Sequence, residues 1–146
     1  MPQANRTKGV HHVVLKVTDV NHSTGFYEKV LGMKVLQTSD QGSVLADGAG
    51  MLCLQRSGRP VAGDRFDENR VGLDHVAFSV ASRRELKETV EILSAMGVKT
   101  AGIESDTDGQ SEYVCFRDPD NIQVEVYVWT AYSSGQEQVA RIEAGA

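Results

Sequence analysis

The chain has 146 residues, 40% of them hydrophobic, and a formal net charge of −5. That is the length of one ordinary domain, with enough apolar material to form a core without staples. A mildly acidic chain excludes nucleic acid as a main partner, since phosphate backbones want a basic face, and no apolar run approaches the roughly 18–20 residues of a membrane span.

Residues 1–8 are polar and carry no signal-peptide core, so a soluble, cytoplasmic protein is expected. The two cysteines, Cys53 and Cys115, have no CxxC spacing, and in that setting a disulfide framework is not expected.

Residues 9–17 read GVHHVVLKV, with the alternation of a half-buried strand. A helix follows from near Asn21, with Phe26, Val30 and Leu31 as its apolar stripe and His22 at its start facing solvent. Gly32 suits the left-handed position that ends a helix. Three strands are then predicted near 33–38, 42–46 and 50–56, the last two separated by the turn residues of 47–50. Residues 57–71 (SGRPVAGDRFDENRV) are polar, charged and Gly/Pro-containing, and read as a linker. Its arginines and the one just before it (Arg56, Arg59, Arg65 and Arg70) are read as solvated, with one reaching an anionic substrate as the alternative.

The same grammar then repeats. Residues 72–80 read GLDHVAFSV, offset by 63 positions from the first strand (12 to 75), with Gly, His, Val and the final Val coinciding. Ser82 and Glu85 make a capping box, and Leu86, Val90 and Leu93 line one face of a second helix ending at Gly97. Strands are predicted near 98–102, 112–117 and 121–129, with a mobile loop at 103–111 and the turn formers Asp118, Pro119 and Asp120 before the last strand. The tail is small and polar, with one loose helical turn around 136–143. The organisation is therefore a first βαβββ unit at 8–56, the linker, a second unit at 72–129 and a tail at 130–146.

Side chains alternate across a strand. Val13, Leu15 and Val17 take the helix-side face, as do Val76, Phe78 and Val80. His12, Val14 and Lys16 take the other face, as do His75, Ala77 and Ser79. In the last strand Ile122, Val124, Val126 and Val128 are apolar, while Gln123, Glu125 and Tyr127 point the opposite way; Tyr113, Cys115 and Arg117 do so in the strand before it. His11, one residue ahead of His12, is placed on the helix side. Simple solvent exposure does not explain two symmetry-matched histidines and a glutamate flanked by valines.

The runs HHVVLKVTDV, GFYEKVLGMKV, LDHVAFSV and CFRDPDNIQVEVYV, in this order, resemble the vicinal oxygen chelate superfamily over about residues 8–129. This superfamily spans glyoxalase I, bleomycin-resistance proteins, fosfomycin-resistance transferases, methylmalonyl-CoA epimerase and extradiol dioxygenases. The resemblance implies an α+β fold in which two tandem βαβββ units form a curved, incomplete mixed β-barrel with the helices outside. It also implies one divalent metal per site (Fe, Mn, Ni, Co or Zn) on His12, His75 and Glu125.

Two departures narrow the analogy. Aligning MLCLQR (51–56) with QVEVYV (123–128) puts Cys53 opposite Glu125, where glyoxalase I-type sites carry a fourth protein ligand; Gln55 lies two residues on, on the same face. The dioxygenase motif carries a Tyr where Cys115 stands and a His upstream, and residues 104–114 contain no His; Tyr113 faces the same way.

A two-His, one-carboxylate set leaves open coordination positions for a substrate that chelates through neighbouring oxygens, and the metal acts as a Lewis acid. Lyase, isomerase and extradiol dioxygenase chemistry all remain open. A metal-free, bleomycin-resistance-type binding protein is the alternative, as is a structural module with vestigial histidines. Glu112, Tyr113 or a displaced Glu125 are the candidate bases. Cys53, Gln55, Cys115 and Tyr127 are the candidate substrate contacts, although both cysteines read first as packing residues. A small-molecule substrate and a homodimer are the expected partners, and whether the two units close within one chain or exchange between chains stays open.

Overall fold

Period-two alternation and two well-capped helices build the architecture. A computed structural model describes residues 7–59, 61–107, 111–128, 140 and 142–145. The chain divides into two compact units, residues 1–64 and 65–146.

In the first unit the order is β1 (His12–Val17), α1 (Val20–Leu31), β2 (Lys34–Thr38), β3 (Gly42–Ala46) and β4 (Met51–Arg56). The sheet runs β1-β4-β3-β2, with β1 parallel to β4 and the other pairs antiparallel. Asp19 caps α1, its carboxylate accepting the His22 N–H at 2.9 Å, so the helix starts a turn's edge earlier than Asn21. Gly32 ends it at φ +63°, the left-handed conformation expected there. The helix-side face of the sheet is closed by Leu15, Val17, Leu45, Leu52 and Leu54 against Phe26, Tyr27 and Val30. Tyr27, outside the expected stripe, is fully buried. Inside this layer the Thr24 and Ser43 hydroxyls bond each other at 2.7 Å, while the buried Ser23 hydroxyl of α1 has no hydrogen-bond partner.

The second unit repeats the plan: β5 (His75–Val80), α2 (Arg83–Ala95), β6 (Ile103–Ser105), β7 (Glu112–Arg117) and β8 (Gln123–Val128), in the order β5-β8-β7-β6 with β5 parallel to β8. Glu85 accepts the N–H groups of Ala81 and Ser82 at 2.8 and 2.9 Å, the reciprocal half of the capping box. Leu86 and Leu93 are fully buried against the apolar face of Val114, Phe116, Val124 and Val126. Truncating such a leucine to alanine costs about 2–5 kcal/mol.

The expected strand at 98–102 lies instead at 103–105, within the segment read as a loop. Val98 N–H still bonds Leu93 O in the helix stop, and the Thr100 hydroxyl donates to Cys115 O while accepting Gly102 N–H. Gly102 then takes φ +84°, which extended pairing cannot use, so the ladder begins at Ile103. The linker stretch is also more structured than its composition implies. Phe66 N–H donates to Asp120 O, Asn121 Nδ2 donates to Phe66 O, and Arg65 donates to Asn121 Oδ1. These bonds brace the β7–β8 turn, where the Asp118 carboxylate accepts two further N–H groups. Of the helical turn expected at 136–143, Ala140, Ile142 and Glu143 are described and helical; the other positions lie outside the described residues. No helix among the described residues is long and apolar enough to cross a membrane.

Candidate metal centre

The strand registers of the two units are equivalent. In β1 and β4, His12 faces Met51 and Val14 faces Cys53. In β5 and β8, His75 faces Gln123 and Ala77 faces Glu125. His12 and His75 therefore hold one position, and Cys53 and Glu125 hold another, as the alignment of MLCLQR with QVEVYV requires. Burial follows the predicted parity: His12, Val14, Lys16, His75, Ala77 and Ser79 are exposed, and their strand neighbours are less so.

On the second sheet, His75 Nδ1 lies 2.6 Å from Asp74 Oδ1, while Nε2 points to Glu125 Oε2 at 3.4 Å. Glu125 is only 7% exposed. Its Oε1 accepts Gln123 Nε2 at 3.3 Å, and its Oε2 is buried with no hydrogen-bond partner. A neutral ring whose Nδ1 donates to Asp74 presents a lone pair at Nε2, and two acceptors would then face each other. An unpaired buried carboxylate oxygen is costly and calls for a cation. Two ligands bound at about 2.0–2.2 Å to one ion sit roughly 3–3.5 Å apart, so the observed separation suits a shared metal. The structure thus brings together two of the three expected ligands. His12 stands on β1 of the first unit, and among the described residues no group of three or more His, Cys, Asp or Glu side chains is assembled.

The residue before each histidine lies within hydrogen-bond distance of its Nδ1. His11 Nδ1 lies 2.9 Å from His12 Nδ1, with the rings edge-on, as Asp74 does for His75. His11 is exposed and precedes the β1 ladder, which begins at His12, so strand alternation does not fix its facing. A metal-binding histidine whose Nδ1 donates to a neighbour ligates through Nε2, and the Asp74–His75 contact fits that arrangement. The aligned pair His11 and Asp74 was readable in the repeat as the residue preceding each histidine, but only the geometry places it against the ring nitrogen.

Cys115 lies beside Glu125 across the β7–β8 ladder. Burial, then the Glu125 charge, pushes its thiol up, which disfavours the thiolate. Tyr113 and Tyr127 stack with centroids 5.0 Å apart, and Tyr127 donates to Asp106 Oδ2 at 2.8 Å. Partial burial, then the Glu104, Glu125 and Asp106 carboxylates, raise the Tyr113 hydroxyl above its ordinary range. Tyr127 is raised further, by burial and by its bond to Asp106. Both hydroxyls therefore favour the protonated form, and Tyr127 uses its proton to donate to Asp106. Glu112 is gripped by Arg83 Nε at 2.9 and 3.0 Å from its two oxygens, which occupies the other candidate base. Arg117 pairs with Glu68 at 2.6 Å, closing the face beyond Gln123. In the first unit Cys53 is half-buried between Val14 and Val44, and Gln55 accepts Lys16 Nζ at 3.0 Å.

Residues 9–126 match the family model described as the glyoxalase/bleomycin resistance protein/dioxygenase superfamily. A crystal structure of a glyoxylase/bleomycin resistance protein/dioxygenase domain from Frankia sp. EAN1pec is similar at 31% identity and a TM-score of 0.74, over 84% of this chain and 98% of that one. The fold also matches lactoylglutathione lyase from Agrobacterium tumefaciens, at 23% identity and a TM-score of 0.68, over 89% of this chain and all of that one. The uncharacterized protein YwkD of Bacillus subtilis is 29% identical over 126 residues, 82% of this chain and 96% of that protein. With a family model spanning both βαβββ units, the chain belongs to the glyoxalase/bleomycin resistance protein/dioxygenase superfamily.

Proposed function

We propose that this chain is a metal-dependent enzyme acting on a small substrate that chelates a divalent ion through neighbouring oxygens, with His75 and Glu125 as ligands and His12 as the third. The observation that carries the reading is the buried, unpartnered Oε2 of Glu125 facing His75 Nε2 at 3.4 Å. When bound, the ion supplies Lewis-acid stabilisation of an enolate, alkoxide or phenolate.

The chain's own groups have separable tasks. Asp74 holds the His75 tautomer, and Gln123 holds the second oxygen of Glu125. The stacked Tyr113 and Tyr127 present an aromatic wall with protonated hydroxyls, suited to flanking a planar, oxygen-rich ligand. Half-buried Cys53, in place of an ionised fourth ligand, leaves coordination positions to substrate. Lyase or isomerase chemistry and extradiol ring opening both use such a site, and they differ in the metal and in oxygen dependence.

The test is metal analysis after anaerobic loading with Fe(II), Mn(II), Co(II), Ni(II) or Zn(II), on the wild type and on His12→Ala and His75→Ala. One tightly held ion per chain, lost in both variants, is expected. A correctly folded wild type that takes up no ion overturns the proposal. Tight small-molecule binding indifferent to chelator and to His12→Ala does so as well, in favour of a sequestering protein.

A further inference from the structure

The non-helical face of the first sheet changes character along its length. His12 stands at one end of β1, Val14, Cys53 and Val44 make an apolar middle, and Lys16 and Gln55 pair at the far end. At that far end lies a cavity of about 350 Å³, lined among others by Lys16, Gln37, Ser39, Gln41, Gln55 and Arg56. No carboxylate lines it; Asp40, in the adjoining turn, is not part of the lining. In a chain of net charge −5, two cations without an acid are a local reversal of sign. Among the described residues, neither Lys16 nor Arg56 enters an ion pair. Gln55 Oε1 takes one of the three Lys16 donors and steadies the ammonium, leaving the others for a ligand.

We infer that this cavity is an anion subsite, taking the carboxylate or phosphate of an extended substrate. Lys16 lies four residues from His12 on the same strand and face, roughly 13 Å along β1. The subsite deepens the proposed function and rests on it for one point only, that the chelating oxygens lie at the His12 end. The substrate class is then a small molecule with neighbouring oxygens at one end and a carboxylate or phosphate at the other. An apolar stretch between the two ends would lie over Val14 and Val44.

The test uses the full chain, stripped of metal, titrated with inorganic phosphate and separately with succinate, and followed by backbone amide chemical shifts. Saturable shifts at Gln41, Gly42, Gln55 and Arg56 are expected, weakening as salt rises. Affinity should fall at least tenfold in the Lys16→Gln/Arg56→Gln double variant and survive in Lys16→Arg. Preference for phosphate or for succinate identifies which anion the substrate carries. Amides that stay still with both probes, or shifts unchanged in the double variant, overturn the subsite. Mn(II) binding measured on the same samples separates the two claims: anion binding without metal binding sinks the proposed chemistry alone, and metal binding without anion binding sinks the subsite alone.

Discussion

Asp74 Oδ1 and His75 Nδ1 lie 2.6 Å apart, and this contact between chain neighbours turns the other ring nitrogen toward Glu125. A histidine whose Nδ1 donates to a carboxylate is held in one tautomer and is a stronger ligand through Nε2. Asp74→Ala should therefore weaken metal binding by about 10–100-fold while leaving the fold intact, since Asp74 is exposed. Asp74→Asn, which keeps an acceptor oxygen, should lose less. Calorimetric titration of the metal-free protein checks both, and equal affinity in all three proteins would remove Asp74 from the site.

Glu125→Gln should separate stability from binding. An amide in place of Oε2 offers a donor to His75 Nε2, so a buried orphan acceptor gains a partner. The metal-free variant should be more stable than metal-free wild type by about 1–3 kcal/mol, the cost of an unsatisfied buried group. It should also no longer be stabilised by added metal. Urea unfolding with and without ion reads both effects, and a destabilised metal-free variant would contradict the first.

Acid should unfold the protein partly through Glu68. Its hydrogen bonds with Arg117 hold the carboxyl at about 2, below the ordinary 4.5. A depressed folded-state value contributes stability that is complete above the unfolded value and lost as pH falls. The contribution should thus disappear between about pH 4.5 and pH 2. Glu68→Gln should flatten the pH dependence of the melting temperature across that window. An unchanged acid limb would show that the pair contributes nothing.

Alkaline titration reports on the aromatic wall. Tyr113 and Tyr127 are both raised, Tyr127 the more by burial and by its bond to Asp106. A raised acid stabilises the fold below the ordinary pH 10 and loses that contribution above it. Tyr113 and Tyr127 should therefore resist tyrosinate formation past pH 10 in the absorbance titration. Tyr127→Phe should remove one of them and cost about 1 kcal/mol for the lost hydrogen bond. Four tyrosines ionising together at the ordinary value would contradict the stacked, partly buried pair.

Much of this architecture was legible in the chain itself. The repeat of GVHHVVLKV in GLDHVAFSV, the capping box at Ser82 and Glu85, and the glycine stops at 32 and 97 all describe local events. A strand's two-residue period and a helix's cap need no distant partner, so β1, β4, β5, β7 and β8 and the facing of His12, His75 and Glu125 could be read directly. That Cys53 holds the position equivalent to Glu125 was readable for the same reason, because equivalent strands share a register. Local rules failed where side chains competed for the backbone. Thr100 and Gly102 displaced β6, and His11 fell outside the ladder that alternation assumes. Only the tertiary structure decided which buried atoms go unpaired. That Oε2 of Glu125 has no hydrogen-bond partner, that Arg117 finds Glu68 across 49 residues, and that Lys16 and Arg56 line a cavity without an acid are outcomes of packing. Sequence orders side chains along a strand, but the balance of donors, acceptors and charges around each is set by segments that the fold brings from elsewhere.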